Sequence, residues 1–99
     1  MAGYELTPAA DADLGNIWDY TYETWGFDQA DKYFDLILAC CEAIAAGTAR
    51  SKFVEGLAED LRVHRCQHHC IFFLVGSRPV VLAILHERMD FFARLKDRL

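Results

Sequence analysis

The segment from residue 61 to residue 90 constrains the fold most, because it carries long apolar runs separated by turn residues. Residues 70–75 read Cys-Ile-Phe-Phe-Leu-Val and residues 80–85 read Val-Val-Leu-Ala-Ile-Leu, with Gly-Ser-Arg-Pro between them. Apolar runs of this length between glycine and proline signals predict the two strands of a hairpin with covered faces. Another strand is predicted to open at Arg62 and to end in a turn near Gln67. The segment therefore predicts three consecutive antiparallel strands.

The first of two helices is predicted to begin directly after Thr7. A threonine side chain can cap the first turn of a helix, and Pro8 suits the first helical position. Apolar residues then recur at helical spacing as far as Gly26, which is expected to end the helix. The predicted buried face consists of Leu14, Ile17, Trp18, Thr21 and Trp25.

The second helix follows at once, so that no strand separates the two helices. Asp28, with Asp31 three residues later, is predicted to cap its start, and Gly47 is predicted to close it. Its expected core face consists of Ala30, Tyr33, Phe34, Ile37, Leu38, Cys41, Ile44 and Ala45. Because the connection around Gly26 is short, the two helices are expected to form an antiparallel hairpin.

The remaining segments complete a prediction of the fold class. Residues 4–7 alternate in polarity and suit one edge strand, and residues 48–60 are interpreted as a loop. Residues 89–99 predict a short C-terminal helix or tail. The expected class is α+β with the order β-α-α-β-β-β, in which a helical hairpin packs on a small antiparallel sheet. The 99 residues predict one domain, residues 1–99.

Charge is divided unevenly along the chain. Residues 1–48 hold nine acidic residues and one basic residue, a formal charge of −8, whereas residues 49–99 carry +3. A balance of +3 is too weak to favour direct binding of DNA by this chain. Neither a membrane-spanning apolar run nor a secretory signal is recognisable, so a cytoplasmic protein is expected.

The four cysteines and neighbouring histidines raise the question of a metal site. Cys66 and Cys70 lie near three histidines, which are ligand types that zinc accepts. A structural zinc site usually needs a second ligand pair at a distance, and the sequence offers His86 alone. We therefore expect free thiols in a reducing cytoplasm, with no metal and no cofactor.

A second apolar stripe on the second helix leaves two interpretations open. Leu36, Cys40 and Ala43 fall beside the main core face. Single apolar residues on the surface of a small domain need no functional explanation. Alternatively, the stripe forms a groove that a partner segment covers.

At this point the sequence resembles the ParE toxins of bacterial toxin–antitoxin operons, within the wider RelE/ParE group. The resemblance extends over nearly the whole chain and is carried by several short motifs. These are residues 4–14, Ile17-Trp18-Asp19-Tyr20-Thr21, Trp25-Gly26, Gln29-Ala30 with Tyr33, Gly56-Leu57, Leu61-Arg62, Ile71-Phe72-Phe73 and residues 84–90.

The resemblance implies a toxin that a ParD-like antitoxin holds inactive and that inhibits DNA gyrase rather than acting as an enzyme. In such systems the antitoxin lays a helix on the helical hairpin, in a complex with two or more copies of each chain. The stripe, together with Tyr33 and Ile37 from the adjoining core face, then becomes the expected antitoxin-binding site. Its residues are Tyr33, Leu36, Ile37, Cys40 and Ala43. The expected target-binding residues are Arg62, Arg65, His86 and Arg88.

Two alternatives to gyrase inhibition remain. The first is ribosome-dependent cleavage of messenger RNA, as in RelE proteins, with arginines holding phosphates and His86 as an acid–base group. Lysines that mark such nucleases are missing here, since Lys52 is the only lysine in residues 33–95. The second alternative is a chain that has lost toxicity and only binds an antitoxin.

Overall fold

The computed structural model describes residues 3–99 and confirms the α+β class. Its elements are β1 (Glu5–Leu6), α1 (Pro8–Trp25), α2 (Phe27–Ala46), β2 (Lys52–Phe53), β3 (Leu61–Cys66), β4 (His69–Leu74), β5 (Val80–His86) and α3 (Phe91–Lys96). The predicted loop at residues 48–60 is wrong in one respect, because β2 lies within it. Two residues are too few to show a period, so the sequence gives no signal for this strand.

The five strands form one sheet in the order β1-β5-β4-β3-β2. Strands β2 to β5 are antiparallel neighbours, as predicted for β3, β4 and β5. The edge strand β1 runs parallel to β5, with Leu6 beside Val81, so the sheet is mixed rather than purely antiparallel. The amide of Thr7 continues this pairing by donating to the carbonyl of Val81 at 3.0 Å. The N-terminus therefore enters α1 from the edge of the sheet.

Local signals set most of the helix ends. The side chain of Thr7 accepts a hydrogen bond from the amide of Ala10 at 3.1 Å, which confirms the predicted cap of α1. Gly26 and Gly47 follow α1 and α2 with φ values of 91° and 76°, which favour glycine over other residues. The predicted aspartate cap of α2 is wrong, because the helix begins at Phe27 without a side-chain cap.

The first core lies between the helical hairpin and one face of the sheet. Its buried members are Tyr4, Ala10, Leu14, Ile37, Cys41, Ile44, Cys66, Ile71, Phe73, Val81 and Ile84. The predicted burial of Leu14 and Thr21 is confirmed, with 3% and 8% of their surface exposed. Trp25 is 71% exposed, so its assignment to the buried face of α1 is wrong. A helical period does not show where the packing partner of the helix ends.

A second core fills the opposite face of the sheet. Leu61, Cys70, Phe72, Leu82, Ala83, Leu85 and Leu95 are its buried members. The C-terminal helix α3 contributes Leu95, which has no exposed surface, and the ring of Phe91, whose centroid lies 5.0 Å from that of Phe72. The expected short C-terminal helix is therefore confirmed.

Two charged side chains attach both helical layers to the free edge of β5. Asp13 on α1 accepts a hydrogen bond from the amide of Ile84 at 2.9 Å. Arg98, beyond α3, donates to the other oxygen of Asp13 at 2.9 Å and to the carbonyl of Leu82 at 3.1 Å. β1 pairs only with Val80 and Val81, so the backbone amide of Ile84 and the carbonyl of Leu82 lie beyond the end of β1. The two side chains provide hydrogen-bond partners for these backbone groups. Among residues 3–99, no helix is long and apolar enough to cross a membrane.

Candidate functional site

The predicted antitoxin-binding stripe on α2 is partly open to solvent. Leu36 is 36% exposed, and Tyr33, Cys40 and Ala43 are half-buried. Ile37 differs from the others because it has no exposed surface and belongs to the first core. One residue along a helix is a rotation of about 100°, which turns Ile37 from the stripe toward the sheet. Its predicted place on the core face of α2 is confirmed, and its role as an antitoxin contact stays a prediction.

A disulfide between Cys40 and Cys66 joins the stripe to the end of β3. Their Cα atoms lie 6.5 Å apart, and 26 positions separate them in sequence. Sequence reasoning expected four free thiols, which is wrong for this pair. Nothing in the sequence predicts the pairing, because it depends on how α2 crosses β3.

The other two cysteines, Cys41 and Cys70, are free and buried. Burial, with a smaller effect from Glu42, raises the pKa of the Cys41 thiol to about 11. Burial likewise raises the pKa of the Cys70 thiol. Because the thiolate is the reactive form, both residues act as small core side chains.

The structure brings together three rings that the sequence did not predict to meet. We call them the ring cluster, which consists of Tyr33, His69 and His86. The hydroxyl of Tyr33 and Nδ1 of His69 share a hydrogen bond of 2.6 Å. The ring of His69 meets that of His86 edge to face, with centroids 5.3 Å apart, because the two residues are cross-strand partners. Burial, followed by the nearby His86 and His68, lowers the pKa of His69 to about 4. His69 is therefore neutral at neutral pH.

Glu87, which follows His86 in sequence, binds two exposed side chains near these rings. It accepts hydrogen bonds from the guanidinium of Arg65 and, at 2.8 Å, from Nδ1 of His68. These bonds, first that of His68 and then that of Arg65, lower the pKa of Glu87. The backbone amide of Arg88 donates to Nδ1 of His86 at 3.2 Å. Three predicted target residues, Arg65, His86 and Arg88, thus gather around the ends of β3 and β5.

Arg62 stands apart from those three residues. It is three positions from Arg65 along β3, so the two side chains leave opposite faces of the sheet. Arg62 donates to the side chain and to the carbonyl of Ser51, both at 2.7 Å. Its guanidinium also lies 4.1 Å from the centroid of the Phe53 ring. These contacts hold β2 against β3, which gives Arg62 a structural role.

A cleft of about 680 Å³ opens on the face of the sheet opposite the helical hairpin. Arg50, Lys52 and Arg65 supply its charged lining, and the apolar lining includes Phe72 and Phe92. Phe92 remains 54% exposed there. Sequence reasoning missed this cleft because β2 and α3 together form one side of it. Its aromatic and basic character suits an acidic, partly apolar protein segment.

Arg62 and Arg65 already bind protein groups and face opposite sides, so they do not form one phosphate clamp. Within residues 3–99, no group of three or more histidine, cysteine, aspartate or glutamate side chains is arranged to hold a metal ion.

Sequence comparison finds relatives that match most or all of this chain. The family model described as "ParE toxin of type II toxin-antitoxin system, parDE" matches residues 4–91. A protein named Toxin ParE from Escherichia coli is 43% identical over 101 residues, covering 100% of this chain and 98% of the relative. Toxin ParE1 from Caulobacter vibrioides is 34% identical over 95 residues, covering 96% and 99%. Toxin ParE1 from Mycobacterium tuberculosis is 34% identical over 89 residues, covering 88% and 91%.

Structural comparison gives the same architecture. A solved structure described as "Chromosomal ParDE TA system from P. aeruginosa" superimposes with a TM-score of 0.73. The match covers 87% of this chain and 96% of that chain, at 22% sequence identity. The two chains share a fold.

Proposed function

Because the chain belongs to the ParE toxin family of type II toxin–antitoxin systems, we propose that it arrests growth unless a ParD-like antitoxin binds it. The free toxin acts in the cytoplasm by inhibiting DNA gyrase, and it does so by binding rather than by catalysis. In the neutralised state, two or more copies of each chain form the complex.

The half-open stripe on α2 is the observation that carries antitoxin binding. Leu36, Cys40 and Ala43 present apolar surface at the spacing that suits a helix laid into a groove. About a third of the surface of Leu36 is exposed to solvent, and contact with an apolar side chain of the partner would bury that surface. The acidic helical half of the chain favours basic residues on the partner segment that flanks these contacts.

Gyrase inhibition is favoured over RNA cleavage by the state of the cationic groups. Cleavage of a phosphodiester needs cations and an acid–base pair at one scissile phosphate. Here Arg62 is bonded to Ser51, and Arg65 is bonded to Glu87 on the other side of the sheet. An inhibitor that works by binding has no such requirement.

Supercoiling of plasmid DNA by purified gyrase tests this proposal. Increasing amounts of the toxin are added with and without the antitoxin encoded beside it in the operon. Inhibition that rises with toxin and disappears at equimolar antitoxin is the expected result. Uninhibited gyrase, from a preparation that still arrests growth in cells, would contradict the gyrase target.

RNA cleavage is the second candidate, and the ring cluster is the observation that favours it. His69 shares a hydrogen bond with the Tyr33 hydroxyl and meets the ring of His86 edge to face, which brings two imidazoles and a phenol, groups that serve in acid–base catalysis, to one place. The change His86→Ala separates the two candidates. Ribosome-dependent cleavage of messenger RNA by the wild type that is lost in the variant would favour RNA chemistry, whereas retained toxicity would exclude His86 as a catalytic residue.

A further inference from the structure

The connected ends of α1 and α2 carry a group of aromatic side chains that the proposed antitoxin and target residues do not include. We define the hairpin platform as Trp18, Tyr22, Trp25 and Phe27. The three residues from α1 are spaced four and three positions apart, which places them on one face of the helix. Phe27, the first residue of α2, joins them across Gly26.

Contacts between the rings hold three members of the hairpin platform, Trp18, Tyr22 and Phe27, in a fixed arrangement. Trp18 stacks on Tyr22, with centroids 5.2 Å apart and planes inclined by 6°. The ring of Phe27 meets Trp18 edge to face at 5.9 Å. The indole nitrogen of Trp18 donates to Asp31 at 3.1 Å. Rings fixed before binding lose little conformational freedom when a partner arrives.

Three of the four side chains of the hairpin platform are exposed to solvent, although they are large and mostly apolar. Tyr22, Trp25 and Phe27 are 49%, 71% and 58% exposed. Contiguous exposed aromatic surface on a small domain marks a site of interaction, and tryptophan and tyrosine are enriched among the residues that dominate binding energy.

The charges around the hairpin platform define the chemistry of its partner. The nearby acidic residues Asp19, Glu23, Asp28, Asp31 and Asp35 are exposed, against a single base, Lys32. The C-terminus of α1 and the N-terminus of α2 adjoin, so their opposite helix dipoles offset each other and the carboxylates set the local field. Arginine suits both features, because its guanidinium pairs with carboxylates and lies on aromatic faces.

We propose that the hairpin platform binds an arginine-rich protein segment of the toxin's cellular target. This inference rests on the proposed function, which gives the toxin a protein target. A second copy of the chain does not suit the surface, since two acidic patches would repel each other.

The hairpin platform and the antitoxin stripe lie on different sides of α2. Leu36 follows Phe27 by nine residues, which is a rotation of about 180° and a rise of about 13 Å along an α-helix. Mutations can therefore separate target binding from antitoxin binding, even if a bound antitoxin blocks the target by its bulk.

Two variants test the proposal, Trp25→Ala for the aromatic contact and Glu23→Lys for the charge. Both side chains are exposed, so neither change should alter folding, and equal melting temperatures would verify this. Each variant is expected to need at least about tenfold more toxin for half-inhibition of gyrase. The antitoxin dissociation constant should stay within about twofold of the wild type. Leu99→Ala and Glu55→Lys, exposed changes elsewhere, serve as matched controls.

The proposal is overturned if both variants inhibit gyrase as strongly as the wild type. It is also overturned if they weaken antitoxin binding instead of inhibition, which would assign the surface to the antitoxin. If the wild type does not inhibit gyrase, the proposed target is wrong, and growth arrest becomes the measurement. Lost arrest with antitoxin binding retained then supports the hairpin platform, whereas unchanged arrest, or no arrest by the wild type, overturns it.

Discussion

Asp13 shows how one carboxylate can join three parts of the chain. It binds the amide of Ile84 in β5 and the guanidinium of Arg98 beyond α3, from its own place on α1. The side chains of Asp13 and Arg98 are only 14% and 20% exposed. A charge pair withdrawn from water to this extent stabilises the fold only while both partners remain.

We therefore expect Asp13→Ala to lower the free energy of unfolding by about 2–3 kcal/mol. The change leaves the Ile84 amide and the Arg98 guanidinium without their carboxylate. Urea unfolding followed by circular dichroism measures the loss. The matched control is Glu5→Ala, which removes an ion pair with Arg78 whose side chains are 55% and 48% exposed. That control should cost less than about 1 kcal/mol, and equal losses in the two variants would refute the distinction.

The lowered pKa of His69 predicts a pH dependence of stability. The ordinary histidine pKa is 6.5 and that of folded His69 is about 4, so the unfolded chain binds the proton more readily. Its contribution to stability is therefore complete above pH 6.5 and is lost as the pH falls toward 4. Urea midpoints measured between pH 7 and pH 4 should fall, and His69→Gln should flatten this part of the profile. Identical slopes in the two proteins would show that His69 is not responsible.

Residue environments are where sequence reasoning was weakest. Trp25 and Ile37 both follow the helical period, yet one is exposed and the other is fully buried. The ring cluster depends on the pairing of His69 with His86, seventeen positions away. Tertiary partners decide these environments, and a local pattern does not contain them.

At the scale of elements, locally encoded features were predicted well. The cap at Thr7 and the glycines after both helices come from short-range backbone preferences. Strands β4 and β5 follow from continuous apolar runs. The strand β2 and the parallel pairing of β1 escaped prediction, since each involves two residues and depends on a distant partner.

The disulfide between α2 and β3 predicts a redox dependence of stability. Closing a loop of this length contributes about 3–3.5 kcal/mol by restricting the unfolded chain. We expect reduction to lower the urea midpoint of the wild type and to leave the urea midpoint of Cys40→Ser unchanged. Thiol titration of the unfolded, unreduced protein should find two free cysteines. Four free thiols, with one midpoint under both conditions, would rule out the bridge.

At the scale of the whole molecule, the chain separates charge between its layers. The acidic residues concentrate in the helical hairpin, whereas Arg50, Lys52 and Arg65 line the cleft on the other face of the sheet. The molecule therefore offers surfaces of opposite character to its partners. This division was readable from the sequence, but the cleft and the hairpin platform required the fold.

The central claim is that an antitoxin neutralises this toxin by covering the stripe on α2. The most direct test is calorimetric titration of the operon antitoxin into the wild type and into Leu36→Lys. Because Leu36 is partly exposed, the variant should fold, and Leu99→Lys provides the matched control. We predict that Leu36→Lys raises the antitoxin dissociation constant at least about 30-fold while Leu99→Lys does not. Equal affinities for the wild type and Leu36→Lys would contradict the account and place the antitoxin elsewhere on the molecule.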